Sequence, residues 1–415
     1  MNILFIHGNY PAQFRTLAHT FGSQGSHDVR YLTARKDPEN YPLPGVKVIK
    51  YNEDKLTKLV DKSSAQKVSH EMIARGEIIQ EQVIKILQTG FEPKLVFFHG
   101  ANGIGTFLRG ILPNSTLIGY FEWYFSKRCA RLILGRSDLD AINLINARNI
   151  ATKSEILDSD AAIVPTNWQL SQFPANLQKY LTVIFDGVDT NFFRPPINKE
   201  DLFNNSVRIQ GEKDCILLKK NELLLSYATR GMEPLRGFPE FMKTLPALLN
   251  DLPNLKILIG GRDRSAYGPC SPKHEGSWLK STLEEVPELI NHPRIFYTGL
   301  MSYDNYLLML QRTNLHCYFT KPYVTSWSLF EAVATGCPIL TNKCEATTGT
   351  VDSPMISTIN SIDELDSIES VHLIKNLLLS KPERKGHLAT HYTKENSNIQ
   401  WEKYINMALS KIHST

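Results

Sequence analysis

Short apolar runs alternate along the chain with longer amphipathic segments, and this alternation restricts the possible folds more than any other feature. In the first half, the apolar runs predict strands at Ile3–His7, Val29–Leu32, Val46–Tyr51, Leu95–His99, Thr116–Tyr120, Ala161–Val164 and Leu181–Phe185. The amphipathic segments predict helices at Ala12–Gly22, about Ala65–Gln88 and about Leu139–Leu157. Buried strands that alternate with helices are typical of parallel sheets covered by helices on both faces.

The same pattern starts again after the Pro195-Pro196 pair, which marks a linker. The second set of strands is predicted at Leu223–Ala228, Leu255–Ile259, Arg294–Thr298, Leu315–Phe319 and Pro338–Thr341. Helices are predicted at about Gly237–Leu249, Ser277–Leu289, Tyr303–Arg312, Trp327–Thr335 and Asn396–Lys411. The mostly polar stretch Asn204–Lys220 is expected to be a loop or insertion.

A chain of 415 residues is too long for one ordinary hydrophobic core. We therefore predict an α/β protein with two doubly wound, Rossmann-like domains that face each other across a cleft. The expected boundaries are 1–190 for the N-terminal domain, 197–390 for the C-terminal domain, and 391–415 for a terminal helix that packs back toward the N-terminal domain. Ligands of such sheets bind outside the carboxyl ends of the strands.

Composition and charge argue against several other classes of protein. A net charge of +4 is too small to indicate a nucleic-acid partner, and the sequence contains no apolar run of transmembrane length. The six cysteines are scattered without zinc-ligand spacing, which indicates reduced thiols in a cytoplasmic protein and no metal site. Peripheral contact with the inner face of a membrane is compatible with this composition, and the oligomeric state is left open.

Two motifs contain candidate ligands for a diphosphate. The Gly8-Asn9 turn follows the first strand, where a glycine lets the backbone approach a ligand closely. The segment YATRGMEPLRGF, residues 227–238, follows the first strand of the second domain and carries Arg230 and Arg236. A guanidinium fork beside a helix start suits a diphosphate, although solvated loop arginines would give the same pattern.

Two further motifs place a carboxylate in apolar surroundings. Glu331 is predicted one turn into the helix that follows Thr325 and Ser326, where a ribose diol or a structural ion pair would satisfy it. Glu122 lies among aromatic residues in GYFEWYF, residues 119–125, which suits a sugar site or an exposed strand edge. His99 also ends a predicted strand and fits a structural role at least as well.

Together these motifs resemble the family 4 retaining glycosyltransferases of GT-B fold over residues 2–352. The bacterial branch that is most similar starts with I-L-F-V-H-x-N-x-P-x-Q-F-R, which corresponds to ILFIHGNYPAQFR at residues 3–15. The branch also shares GYFEWY at 119–124 and PTNWQLSQFP at 165–174. Its H-D-G-[IV]-D-T motif corresponds to residues 185–190, with Phe185 in place of the histidine.

The resemblance implies a role for each matching residue. Arg230 and Arg236 would hold the donor diphosphate and, with Glu122, form the catalytic set; the wider family has a histidine where Glu122 stands. Glu331 matches the second glutamate of an E-x7-E pattern and would bind the ribose hydroxyls. The first glutamate, which contacts the donor sugar, is replaced by Tyr323. Backbone amides near Thr325 and Ser326, and the Gly8-Asn9 turn, would complete the donor site.

The function implied by the resemblance is metal-independent, retaining transfer of a sugar from a nucleotide-diphosphate donor to an unidentified acceptor. No cofactor is implied beyond that co-substrate, and surface polysaccharide or glycan synthesis is the expected process. A catalytically inactive GT-B homologue that acts as a binding or partner subunit is the main alternative. A related GT-B epimerase or phosphorylase is the third hypothesis.

Overall fold

The computed structural model describes residues 1–57 and 64–412. The last three residues of the predicted terminal segment, 413–415, lie outside the described residues. The chain divides into two compact units. Unit 1 comprises Met1–Arg131, Gly135–Gly187 and Lys394–Thr415, and unit 2 comprises Leu132–Leu134 and Val188–Thr393.

Fifteen strands lie within the described residues. They are β1 (Asn2–His7), β2 (Asp28–Thr33), β3 (Val46–Lys50), β4 (Leu95–His99), β5 (Thr116–Tyr120), β6 (Ala161–Val164), β7 (Leu181–Val183), β8 (Val207–Gln210), β9 (Cys215–Leu218), β10 (Leu223–Gly231), β11 (Leu255–Arg262), β12 (Ile295–Gly299), β13 (Leu315–Cys317), β14 (Ile339–Asn342) and β15 (Ile356–Ile359).

The α-helices of the described residues connect these strands. They are α1 (Arg15–Ser23), α2 (Asp54–Thr57), α3 (Ala65–Leu87), α4 (Leu108–Ile111), α5 (Lys127–Leu134), α6 (Leu139–Asp158), α7 (Asn167–Leu170), α8 (Ala175–Gln178), α9 (Lys199–Asn204), α10 (Phe238–Asp251), α11 (Trp278–Glu285), α12 (Tyr303–Arg312), α13 (Trp327–Ala334), α14 (Ile368–Leu379) and α15 (Lys394–Ile412). None of the helices in 1–57 and 64–412 combines the length and apolar character needed to cross a membrane.

Unit 1 is built on a seven-stranded sheet in the order β3-β2-β1-β4-β5-β6-β7, and all of its strand pairs are parallel. Successive residues of β1 enter different core clusters, with Leu4 in one and Phe5 in the other. Because side chains alternate across a strand, both faces of this sheet are buried. The apolar runs of the sequence are therefore central strands, as predicted.

The terminal helix α15 contributes to the core of unit 1. Its residues Trp401, Tyr404, Ile405 and Ala408 are buried in the same cluster as Phe5 and Phe97. The ring centroids of Trp401 and Phe97 lie 6.0 Å apart. Unit 1 is thus completed by a segment that follows all of unit 2 in the sequence.

Unit 2 has a six-stranded parallel sheet in the order β12-β11-β10-β13-β14-β15. Its core is one large cluster that joins the sheet to α10 and α14, with Tyr227 and Phe241 stacked at 4.8 Å between ring centroids. In each unit, the strand order reverses beside the first strand, between β1 and β4 and between β10 and β13. The carboxyl ends at such a reversal are where α/β sheets bind ligands.

The expectation of a loop at Asn204–Lys220 is wrong. The segment contains β8 and β9, which pair antiparallel with Ile209 opposite Ile216. Both isoleucines are fully buried, whereas Arg208 and Leu217 on the other face are exposed. Alternate burial of a few apolar residues is enough to hold this hairpin, although the overall composition of the segment is polar.

Candidate functional site

The carboxyl ends of β1, β4 and β5 bring four polar side chains together in unit 1. His7 Nδ1 accepts from the backbone N–H of Asn9 at 2.8 Å, so a neutral His7 carries its proton on Nε2 and donates to Gln13 Oε1 at 2.7 Å. Gln13 Nε2 donates to Glu122 Oε1 at 2.7 Å. We call His7, Gln13, His99 and Glu122 the strand-end cluster.

His99 closes the strand-end cluster. Its Nε2 lies 3.4 Å from Glu122 Oε2, and its ring centroid is 4.3 Å from that of His7. Three of the four side chains come from neighbouring strand ends, and Gln13 comes from the turn before α1. The cluster therefore connects Glu122 with the Gly8-Asn9 turn, two predicted sites more than 110 residues apart in sequence.

The Gly8 turn leaves room above its backbone. A Cβ atom added at Gly8 would come near only one atom, the Tyr51 hydroxyl, at 4.0 Å. The predicted helix start at Ala12 is a single 3₁₀ turn, Ala12–Phe14, and α1 begins at Arg15. The free amides of α1 consequently lie further from Gly8 than the sequence predicted.

Glu155 is a functional candidate that sequence reasoning missed. This fully buried residue of α6 accepts hydrogen bonds from Ala101 N (2.6 Å), Gly105 N (2.9 Å) and the Thr106 hydroxyl (3.2 Å), all in the segment after β4. Burial raises the pKa of Glu155 to about 7, although the three hydrogen bonds and His99 act against the rise. A glutamate in an amphipathic helix carries no signal of this role.

Arg236 is the centre of the candidate site in unit 2. The Glu233-Pro234 pair starts a 3₁₀ turn that ends at Arg236, just before α10. Arg236 is only 5% exposed, and its guanidinium donates to the Thr320 hydroxyl at 2.7 Å and to the Val324 carbonyl at 3.3 Å. It also lies 3.4 Å from the Tyr318 hydroxyl. Arg236 thus joins the carboxyl end of β10 to that of β13.

Arg230 lies at the end of β10, and its side chain is exposed. Its Nη1 is 3.4 Å from the hydroxyl of Tyr267, a residue of the loop after β11. Gly261 allows these two strand ends to meet, because a Cβ atom there would lie 1.9 Å from the Thr229 carbonyl oxygen. The guanidinium of Arg236 lies 5.5 Å from the Tyr267 ring centroid, so both arginines contact this one tyrosine.

The loop before α13 brings Tyr323 and Ser326 to the same place. Tyr323 is buried, and its ring centroid lies 5.2 Å from that of Tyr267. The backbone N–H of Ser326 donates to the Tyr318 hydroxyl at 3.0 Å, which links the start of α13 to the group that contacts Arg236. Arg230, Arg236, Tyr323 and Ser326 therefore lie in one network of contacts centred on Tyr267 and Tyr318.

Thr325 contacts the segment after β14, and Glu331 lies near α12. The hydroxyl of buried Thr325 donates to the Ala346 carbonyl at 2.7 Å. Glu331 is half-buried on α13. The pKa of Tyr306 on α12 is raised, first by the burial of this tyrosine and second by the negative charge of Glu331. The Glu331 carboxylate thus lies beside a buried phenol, one turn into α13 as predicted.

Two residues of the unit 2 site carried no sequence signal. They are Tyr267, which contacts both arginines, and Glu233, whose Oε2 accepts from the backbone N–H groups of Tyr267 and Gly268. The contacts of both residues depend on the path of the loop after β11, and the periodicity of the sequence does not predict that path. Within the described residues, no group of three or more His, Cys, Asp and Glu side chains is arranged to hold a metal ion.

Comparison with known proteins supports part of the resemblance. Residues 25–193 match the model of the "Glycosyl transferase family 4 group", a range that begins after the N-terminal signature at residues 3–15. No curated protein sequence matches the chain.

Solved structures match almost the whole chain. Sucrose-phosphate synthase from Thermosynechococcus elongatus is 14% identical with a TM-score of 0.64, covering 99% of this chain and all of that one. The catalytic domain of starch synthase IV from Arabidopsis thaliana, bound to ADP and acarbose, is 12% identical (TM-score 0.57, 99% of both chains). S. aureus MnaA, solved with UDP, is 12% identical (TM-score 0.55, 99% of this chain and 97% of that chain). These likenesses confirm the fold prediction: the chain has the α/β GT-B fold with two Rossmann-like sheets.

Proposed function

We propose that this protein is a retaining, metal-independent glycosyltransferase whose unit 2 binds a nucleotide-diphosphate sugar. The observation that carries the proposal is the environment of Arg236. Its guanidinium is almost fully buried at a strand-order reversal, and its hydrogen-bond partners are two hydroxyls and a carbonyl, all neutral. The charge of the buried Glu233 carboxylate acts on Arg236, but that carboxylate accepts its hydrogen bonds from the Tyr267 and Gly268 amides. The guanidinium, hydrogen-bonded to neutral groups, therefore suits an anionic ligand, and a diphosphate fits its planar fork.

The arginines would act on the leaving group. Arg236 and Arg230 stabilise the negative charge that develops on the nucleoside diphosphate as the glycosidic bond breaks. The start of α13, after Thr325 and Ser326, adds the positive end of a helix dipole, although the Ser326 amide itself donates to the Tyr318 hydroxyl. Glu331 accepts hydrogen bonds from the ribose hydroxyls, and Tyr323 lies on the side of the donor sugar.

The chemistry requires no nucleophile from the protein. The acceptor hydroxyl attacks the anomeric carbon on the face that the diphosphate leaves, and a leaving phosphate oxygen takes its proton, so the anomeric configuration is kept. In unit 1, Glu122 is oriented by Gln13 and His99, and we propose that it binds sugar hydroxyls. The arginines supply the positive charge that other transferases obtain from a metal ion.

The comparisons support a nucleotide donor. Among the similar structures, starch synthase IV is bound to ADP and MnaA to UDP. We further propose cytoplasmic action, with peripheral contact at the inner membrane face, on an acceptor that belongs to surface polysaccharide or glycan synthesis.

A thermal-shift screen with UDP, ADP, GDP, UDP-glucose, ADP-glucose and GDP-mannose tests this function. A true donor at 100 times its Kd should stabilise the folded protein by about 2.7 kcal/mol. Slow hydrolysis of that donor, followed by NMR, should release the sugar first in its original anomeric form.

Other outcomes would contradict the proposal. Binding without any turnover would favour the inactive homologue that acts as a partner subunit. Release of an epimerised sugar would favour an epimerase. Failure of all six compounds to bind would exclude the proposed donor site.

A further inference from the structure

Tyr267 contacts three of the residues that the proposed function assigns to the donor. Its hydroxyl lies 3.4 Å from Arg230 Nη1, and its ring centroid lies 5.5 Å from the Arg236 guanidinium and 5.2 Å from the ring centroid of Tyr323. Tyr267 itself is half-buried. We call Tyr267 and Tyr323 the tyrosine pair.

A buried carboxylate fixes the loop that carries Tyr267. Glu233 is 0% exposed, and its Oε2 accepts from Tyr267 N at 3.1 Å and from Gly268 N at 2.8 Å. Its Oε1 has no hydrogen-bond partner among the described residues. Burial of a half-satisfied carboxylate is costly. The contact with two successive amides holds the backbone of this loop at Tyr267.

The arrangement of the other residues indicates which part of the donor faces the tyrosine pair. The diphosphate is assigned to Arg236, and the ribose to Glu331, which lies beside Tyr306 of α12. In the tyrosine pair, Tyr267 contacts both arginines from the loop after β11, and Tyr323, from the loop after β13, contacts Tyr267. The base is bonded to the ribose and the sugar to the diphosphate, so a group that contacts the diphosphate-binding arginines and not Glu331 is placed to meet the sugar.

We propose that the tyrosine pair binds the pyranose ring of the donor sugar and that Glu233 is a positioning residue for Tyr267. An aromatic face covers the C–H face of a pyranose, and the tyrosine hydroxyls can bond to its hydroxyls. This inference rests on the proposed function and assigns the sugar contact to aromatic side chains, one of them at the position where the resembling family has a carboxylate.

The test compares a nucleotide sugar with the nucleoside diphosphate that it contains. Calorimetric Kd values are measured for UDP and UDP-glucose, ADP and ADP-glucose, and GDP and GDP-mannose. The proteins are the wild type, Tyr267→Ala, Tyr267→Phe and, as a matched control, Tyr180→Ala, which changes an exposed tyrosine of unit 1. Tyr267→Ala should weaken binding of the nucleotide sugar by about 3- to 10-fold, the scale of an aromatic contact, and change binding of the diphosphate far less.

The conservative variant distinguishes the ring from the hydroxyl. Tyr267→Phe should keep most of the affinity for the nucleotide sugar, and Tyr180→Ala should match the wild type. Unchanged affinity in Tyr267→Ala, or an equal loss for the nucleotide sugar and the diphosphate, would overturn the assignment while leaving the proposed function intact. Absence of binding by the wild type would instead overturn the proposed function, and this inference with it.

Glu233 is tested by the ratio of two Kd values, that of the nucleotide sugar to that of its nucleoside diphosphate. Glu233→Ala should reproduce the selective loss seen in Tyr267→Ala, whereas Glu233→Gln keeps an oxygen that can accept from the two amides and should restore the wild-type ratio. A residue with only a structural role would lower the melting temperature without changing this ratio. That result in both Glu233 variants would show that Glu233 does not position Tyr267.

Discussion

The environment of Arg236 shows how one side chain can determine the chemistry of a sheet end. A guanidinium cannot lose its proton at physiological pH, so burial does not neutralise it. The Thr320 and Tyr318 hydroxyls fix its orientation but bring no charge of their own. The buried Glu233 carboxylate offsets part of the charge. The guanidinium is nevertheless oriented before any ligand binds, and such preorganisation is what stabilisation of a leaving diphosphate requires.

Substitutions of Arg236 should distinguish how much its positive charge and its planar guanidinium each contribute to diphosphate binding. Arg236→Ala should weaken nucleoside-diphosphate binding by about 1.5–3 kcal/mol, the scale of a hydrogen bond to a charged group. The affinity of Arg236→Lys should fall between those of the wild type and Arg236→Ala, because an ammonium keeps the charge and loses the planar fork. Calorimetric titration measures both effects, with Arg136→Ala as the control, an exposed arginine paired with Asp138. Undiminished affinity in Arg236→Ala would remove this residue from the donor site.

Secondary structure was predictable where strands are buried on both faces. Residues of β1, β4 and β5 are almost all apolar and fully buried, and their sequence alone predicts them within one residue. The peripheral strand β15 has three half-buried residues out of four, so its composition lacks this signal, and it was not predicted. Nor was α14, which follows it.

The candidate site was predictable only where motifs mark it. Arg230, Arg236 and Glu331 stand next to strands or within a helix, at positions that a sequence pattern can identify. Tyr267 and Glu233 depend on the path of the loop after β11, and Glu155 depends on a loop that bends back to α6. Such contacts arise from tertiary structure, which neither composition nor periodicity encodes.

The contact between α6 and the segment after β4 should make stability depend on pH. The folded-state pKa of Glu155 is about 7 and its ordinary value is 4.5, so the folded chain binds more protons between these values. The free energy of unfolding should therefore fall as pH rises from about 4.5 to 7, by about 3 kcal/mol in total.

Glu155→Gln removes this titration and permits a direct test. The difference in melting temperature, variant minus wild type, should increase from pH 4 to pH 8, because only the wild type loses stability through Glu155. Glu81→Gln, which changes an exposed glutamate of α3, should show no such trend. A difference for Glu155→Gln that is constant across this range would contradict the raised pKa.

The molecule as a whole consists of two units with separate cores. Unit 1 contains both ends of the chain, and unit 2 is formed mainly by the segment between them. The chain leaves unit 1 after Gly187 and returns to it at Lys394. These two points are adjacent, since a Cβ atom on Gly187 would lie 2.7 Å from the Lys394 Cα. Unit 2 is therefore almost entirely one continuous segment, whereas the core of unit 1 requires α15 from the end of the chain.

This arrangement predicts which pieces of the chain fold alone. The segment 188–393 contains the apolar cluster and the arginines of unit 2, so it should unfold cooperatively and bind the same nucleoside diphosphate as the full chain. The segment 1–187 lacks the four buried apolar residues of α15 and should be unfolded or aggregate. A short Gly-Ser linker that joins residue 187 to residue 394 should restore its folding, and Trp401→Ala in that fusion should cost about 3–5 kcal/mol. Circular dichroism and thermal melts measure each case, and cooperative unfolding of 1–187 alone would show that α15 is not an essential part of that core.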